Sequence, residues 1–160
     1  MSAKVTTIGL IADTHGLLRA DVHLALAGVD FILHAGDVCG DEVLMELDLI
    51  APTYAVAGNC DDPSDPRLTP FIERTADGVR IHVSHGHEVG APTPSRLLAA
   101  YDADVIVYGH THRPLVARAG DRLVINPGAA GARRFDIMPS VARLTIIDGV
   151  ADVALVELRA

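Results

Sequence analysis

The chain sets short, β-branched apolar runs between polar stretches, and most runs stop at Gly, Asp, Asn or His. Thr6 to Ala12, Phe31 to Ala35, Tyr54 to Ala57, Val79 to Ser84 and Val105 to Tyr108 read as strands. Their apolar character is continuous rather than alternating, which predicts strands covered on both faces, as in parallel sheets. Arg19 to Leu26 and Asp41 to Ile50 carry helical spacing, the latter through Val43, Leu44, Leu47 and Ile50, and Ser95 is placed to cap a helix over Arg96 to Tyr101. These segments are predicted to be crossover helices. After Tyr108 the strands come in quick succession, at Leu115 to Arg118, Leu123 to Asn126, Val141 to Asp148 and Val150 to Glu157. Gly120-Asp121 and Asp148-Gly149 supply tight turns, so hairpins and a second, partly antiparallel sheet are expected there. Cys60 to Pro70, rich in Pro and Asp, predicts a surface loop. The fold class is α/β.

Length narrows the picture to one core: 160 residues and 16.9 kDa suit a single domain spanning 1–160. With 49% apolar and 21% charged residues the chain is too apolar to be disordered, and its apolar runs are too short to span a bilayer. A soluble protein with no membrane partner is expected. The net charge of -8 argues against an extended nucleic-acid surface or an anionic lipid partner. No secretory signal stands at Met1 to Val5, so a cytoplasmic location is the expectation. Cys39 and Cys60 are too few for a disulfide framework and are expected to be buried, inert thiols rather than redox groups.

The chemistry is concentrated at the strand ends. Asp13 and His15 follow the first run, Asp37 the second, Asn59 the third, His85 the fourth, and His110 with His112 the fifth. All are metal-ligand types, spaced by about one strand-helix unit, and a parallel sheet would gather them at its carboxyl edge. Within the pairs Asp13/His15 and His110/His112, the i, i+2 spacing points both side chains the same way. Seven N/O ligands exceed what one tetrahedral zinc needs but suit two divalent ions about 3.5–4 Å apart bridged by a carboxylate, with Asp37 the best candidate for the bridge. The absence of thiolate-rich spacing favours manganese, iron or zinc over an iron-sulfur cluster.

In order, the motifs are D-x-H at Asp13 to His15, G-D at Gly36-Asp37, G-N-C-D at Gly58 to Asp61, H-G-H at His85 to His87 and G-H-T-H at Gly109 to His112. This series resembles the calcineurin-like metallophosphoesterase superfamily, most closely its bacterial and archaeal phosphodiesterase branch, to which the retromer subunit Vps29 is also similar. The resemblance spans Ile8 to Gly128. It implies a four-layer αββα sandwich with two mixed β-sheets. It also implies a first metal on Asp13, His15, Asp37 and His112, and a second on Asp37, Asn59, His85 and His110. Manganese is the foremost cofactor on this reading, with iron, zinc or nickel as alternatives. The activity implied is hydrolysis of a small phosphate diester by metal-activated hydroxide. Phosphomonoester hydrolysis and a Vps29-like non-catalytic scaffold are the competing readings. Two dications facing two carboxylates would make the mouth of an acidic protein cationic, so the net charge does not disfavour an anionic substrate.

Two departures from the pattern bear on mechanism. Many members of the superfamily place His where this chain has Cys60, and a thiol is a poor proton donor at neutral pH. A preference for activated leaving groups follows, with His87 as a substitute acid and, like Asn59, a substrate contact. In Asn126-Pro127-Gly128-Ala129 the family often has Ser in place of Ala129, so a hydroxyl near the substrate is expected to be missing, while Asn126 orders a loop. His23 is expected in solvent, and His34 and His82 are expected to be packed in strands. Arg113, Arg133 and Arg134 are read as surface charges rather than as partners of a second phosphate. Asp61 and Asp62 either orient the site or open the Pro-rich loop. The late apolar positions Val141, Leu144, Ile146, Val153, Leu155 and Leu158 either cover the core or supply a contact in a homo-oligomer.

Overall fold

The computed structural model describes residues 4–134 and 136–159. Strands β1 (Val5–Ile11), β2 (Phe31–His34) and β3 (Thr53–Val56) run parallel. Helices α1 (Asp21–Ala25) and α2 (Asp41–Asp48) connect them as expected. The segment before residue 70 is mostly loop, but Leu68–Thr69 adds a short β4 alongside β3.

The chain then changes sheet. Strand β5 (Ile72–Ala76) pairs antiparallel with β6 (Val79–Val83) through Asp77 and Gly78, whose φ values of 49° and 81° match the tight hairpin turn. Helix α3 (Pro94–Ala100) carries the chain to β7 (Val105–Val107), parallel to β6. The hairpin of β8 (Leu115–Ala119) and β9 (Arg122–Asn126) closes this sheet. Strands β10 (Ser140–Ile147) and β11 (Val150–Glu157) return to the first, where β10 lies antiparallel to β1. The two mixed sheets have the orders β11-β10-β1-β2-β3-β4 and β5-β6-β7-β9-β8.

This arrangement corrects three expectations. The five leading runs divide between two sheets, because the Asp77-Gly78 hairpin starts a new sheet. The last two strands rejoin the first sheet instead of extending the second, which lets Val141, Leu144 and Ile146 bury completely. Leu158 and the partly buried Val153 also pack against the core, while Leu155 is 41% exposed. Finally, Thr93 rather than Ser95 caps α3. Pro94 occupies the first helical turn, and the Thr93 hydroxyl accepts the Arg96 N–H.

Apolar side chains fill three layers. Ile8, Leu10, Leu33 and Val56 of the first sheet meet Ile81, Val83, Val107 and Ile125 of the second. On the outer face of the first sheet, Ile11 and Ile32 pack against Val22, Leu44 and Leu47 from the helical side. Leu97 of α3 covers Ile106 and Val124 of the second. Helices therefore flank two face-to-face sheets, which is the αββα order expected. Among the described residues, no helix is long and apolar enough to cross a membrane.

Candidate metal centre

The parallel strands of both sheets end on one side, where their loops meet. Asp13 and His15 follow β1, Asp37 follows β2 and Asn59 follows β3, while His85 follows β6 and His110 with His112 follow β7. Each sheet thus contributes part of a single cluster. One ligand atom from each of Asp13, His15, Asp37 and His112 lies within 4.8 Å of all the others. These are the four residues that the resemblance assigns to one ion.

The second set joins this group through Asp37. Asp37 Oδ2 lies 3.5 Å from His15 Nε2 and 3.3 Å from His85 Nε2, between the two halves. His110 Nδ1 lies 3.2 Å from Asn59 Oδ1, and the His110 ring is 5.2 Å from that of His85 between centroids. His87 stands at the rim, 40% exposed, with its ring 5.3 Å from His85 and 6.2 Å from His110.

The two carboxylates are held alike. One oxygen of each accepts a backbone N–H: Asp13 Oδ2 from His110 at 3.1 Å, Asp37 Oδ1 from Cys60 at 2.9 Å. The other oxygen turns inward toward imidazole nitrogens. Asp13 Oδ1 and His85 Nε2 are buried and have no hydrogen-bond partner. His85 Nδ1 lies 2.9 Å from the Ala35 carbonyl; donating to it leaves the Nε2 lone pair facing Asp37 and Asp13. Electron-rich atoms crowded around a common space fit a cation, and a backbone partner on the far ring nitrogen is the usual way to orient an imidazole ligand. The donor set is carboxylate, imidazole and one amide, which suits manganese, iron or zinc.

Electrostatics agree with that fit. Burial pushes Asp13 up to about 7. Burial also raises Asp37, but the His85 imidazole 3.3 Å away, the Cys60 N–H and the nearby His15 outweigh it and hold this carboxyl below its usual range. Burial lowers His15 and His110, and takes His112 down to about 4. Neutral imidazoles are what a metal requires of its ligands. His85 is the exception: the two carboxylates and the Ala35 carbonyl overcome its burial and favour the imidazolium while no cation is present.

Backbone strain is concentrated at the same positions. Asp13, His15, Asp37, His110 and His112 all have positive φ, between 46° and 72°. Such conformations are uncommon outside glycine and tend to gather at functional sites. At Gly58, a Cβ would overlap the Asp37 carboxylate, so only glycine fits beside it.

Three supporting groups hold the loops. Asp61 accepts from the N–H groups of Val38, Cys39 and Gly58, at 3.2, 2.9 and 2.8 Å, and so ties the Asp37 loop to the Asn59 loop. The Asp62 carboxylate, among the described residues, accepts only from the Ser64 N–H and hydroxyl, so the two aspartates have different roles. Asn126 donates to the Gly109 carbonyl and to the Thr111 hydroxyl and accepts from Gly128, which orders the His110–His112 loop. His34, fully buried, accepts the Gly36 N–H at Nδ1; its Nε2 can then donate to the Thr14 hydroxyl, which in turn donates to the Val38 carbonyl. Sequence marked His34 as a packed residue but gave no sign of this relay, which depends on a contact between β1 and β2 loops.

The remaining expectations divide. His82 is packed between Phe71 and Tyr101, as expected of a strand histidine. His23 is half-exposed and pairs with Glu46. Cys39 and Cys60 are exposed rather than buried, because both lie on the tight loops that present Asp37 and Asn59. Cys39 Sγ lies 3.8 Å from His15 Nδ1. Ala129 is buried and offers no hydroxyl beside the site. Arg113, Arg133 and Arg134 are drawn together with His110 and His112 around a single cavity.

The model of the calcineurin-like phosphoesterase superfamily domain matches residues 7–149. A probable metallophosphoesterase of Methanothermobacter thermautotrophicus is 35% identical over 149 residues, covering 86% of this chain and 80% of its own length. The Escherichia coli phosphodiesterase YfcE is 30% identical over 142 residues, 74% of this chain and 76% of that protein. Vacuolar protein sorting 29 of Cryptosporidium parvum superposes with a TM-score of 0.80 at 25% identity, over 98% of this chain and 99% of that one.

Two outcomes follow from the supporting groups. Removing the Asp61 carboxylate in Asp61→Ala strands three N–H groups and should lower Mn²⁺ affinity about 10- to 100-fold by calorimetry. Asp62→Ala should leave that affinity unchanged. Burial pushes the His34 pKa down to about 3. Below a pH of about 6.5 the unfolded chain therefore gains a proton that folded His34 refuses, and stability should fall as pH drops, by up to about 1.4 kcal/mol per pH unit from this group. Urea unfolding of wild type and His34→Gln from about pH 7 to pH 4 checks this. The variant should show the shallower loss.

Proposed function

The chain belongs to the calcineurin-like phosphoesterase superfamily, and on that premise we propose that it hydrolyses small phosphate diesters at a centre of two divalent ions. Asp13, His15, Asp37 and His112 would hold one ion, and Asp37, Asn59, His85 and His110 the other, with Asp37 shared. The observation that carries this reading is the facing pair of buried, unpartnered atoms, Asp13 Oδ1 and His85 Nε2, amid imidazoles whose burial keeps most of them neutral. Ions bound there would polarise a phosphoryl oxygen and make water a nucleophile at neutral pH.

The chain's own groups support the rest. Asp37 and Asp13 each commit one oxygen to a backbone N–H, so their free oxygens stay aimed inward without rearrangement during the reaction. No side-chain nucleophile is needed. Although both thiols are exposed, partial desolvation on their crowded loops together with the Asp61 and Asp37 charges pushes Cys39 up to about 11, and partial desolvation with Asp37 raises Cys60 as well. A thiol kept protonated attacks poorly and is a weak donor to a leaving alkoxide. His87, at the exposed rim next to His85 and His110, is the proton donor within reach of a departing group. The exposure of Asn59 and His87 leaves room for a second ester arm, which favours diesters over monoesters. YfcE, a phosphodiesterase by name, supports the same choice.

After chelation, added Mn²⁺ should restore release of nitrophenolate from bis(p-nitrophenyl) phosphate, faster than from the mono-ester, and Asp37→Ala should abolish it. Absence of turnover with Mn²⁺, Fe²⁺, Zn²⁺ or Ni²⁺ would overturn the enzymatic reading in favour of a scaffold. Across aryl diesters the rate should fall steeply as the leaving-group pKa rises. His87→Ala should cost on the order of 100-fold with the poorest leaving group and much less with nitrophenolate. A uniform loss would remove His87 as the acid.

A further inference from the structure

Beside the metal centre, a cavity of about 180 Å³ opens between the His110–Arg113 loop and the segments 129–134 and 137–139. One wall is His110 and His112, so it is continuous with the candidate site. Arg113, Arg133 and Arg134 also line it, with Ile137 and Met138 as an apolar floor. This is an unusual concentration of positive charge in a chain whose net charge is -8.

The other cations are mostly engaged. Lys4, Arg67, Arg80 and Arg118 hold carboxylates, and Arg19, Arg122 and Arg143 donate to backbone carbonyls. Among the described residues, the guanidinium groups of Arg113, Arg133 and Arg134 meet no carboxylate at ion-pair distance. All three are exposed, so water solvates them, and with no carboxylate beside them their guanidinium groups are open to an incoming anion.

Size limits the ligand. At about 180 Å³ the cavity falls below the roughly 300–1,000 Å³ of pockets that enclose a drug-sized ligand, so it fits one compact substituent rather than a nucleoside. Guanidinium forks match the oxygens of phosphate in paired hydrogen bonds, and three of them suit a dianion better than a single carboxylate. We propose that Arg113, Arg133 and Arg134 form a subsite for a second phosphate, so that the preferred substrates are diesters whose non-leaving arm is a short chain ending in a phosphoryl group. This rests on the phosphodiesterase reading above. The apolar floor of Ile137 and Met138 carries the short chain, and the arginines bind its end.

The test compares three p-nitrophenyl diesters that share a leaving group and differ only at the end of a two-carbon arm: phosphoryloxy, carboxyl or methoxy. With Mn²⁺, kcat/KM for the phosphorylated ester should exceed that for the methoxy ester by on the order of 10- to 100-fold, the gain expected of charge-assisted hydrogen bonds. In Arg133→Gln and Arg134→Gln that ratio should fall toward one, and because it is a ratio, any general loss of activity cancels. A wild-type ratio near one overturns the subsite while leaving the diesterase intact. An equal gain from the carboxyl arm overturns its assignment to phosphate. If no diester is turned over, inorganic phosphate titrated into the chelator-treated full chain separates the two ideas. Binding weakened in both arginine variants keeps the subsite and removes the diesterase, whereas binding equal to wild type overturns the subsite as well.

Discussion

Two carboxylates lie buried side by side where two sheets meet, and the surroundings of the site are organised around that fact. Asp13 and Asp37 are 1% and 3% exposed. Taking an ionised carboxylate out of water costs several kcal/mol, and a close pair adds mutual repulsion. The imidazoles around them cannot all supply the missing positive charge, since burial drives His15, His110 and His112 toward their neutral forms. Raised proton affinities at Asp13 and His85 are the metal-free answer to the same problem. A dication answers it without protons, which links the electrostatics of this fold directly to its chemistry.

The backbone is bent to the same end. Left-handed residues at five of the seven candidate ligand positions turn side chains from separate strands into one volume. Each such residue costs about 1–2 kcal/mol. The loops keep these conformations because they are fastened from behind: by the Asp61 carboxylate, by the Asn126 amide, and by the chain of hydrogen bonds from His34 through Thr14 to Val38. Two layers of sheet supply rigid strand ends, so the strain is borne by short segments with little freedom to relax.

Much of this was legible in the sequence because the strongest signals are local. Continuous apolar runs marked the parallel strands, and ligand-type residues after each run marked the carboxyl edge where strand ends converge. A second sheet was expected, but the point where the chain passes into it was not legible from the runs alone, since β6 and β7 have the same apolar character as β1 to β3. The Asp77-Gly78 hairpin that begins the second sheet was the available sign. Burial of the cysteines was misjudged because thiols are usually interior, whereas Cys39 and Cys60 sit on loops whose course is dictated by Asp37. Arg113, Arg133 and Arg134 were read as surface charges because their convergence on one cavity is a tertiary property. It arises where the β7–β8 loop and the β9–β10 connection meet.

The division of ligands between sheets has a thermodynamic consequence. Asp13, His15, Asp37 and Asn59 belong to one sheet, and His85, His110 and His112 to the other; between the sheets lie Leu33, Val83, Val107 and the rest of the central apolar layer. Any cation held by both groups is a crosslink across that layer, present only when the sheets are in register with each other. Its occupancy would add to folding stability by mass action, by about 2.7 kcal/mol when the free ion stands at 100 times its dissociation constant. The supply of the ion would then set not only how many molecules are active but what fraction of them keeps its two halves together.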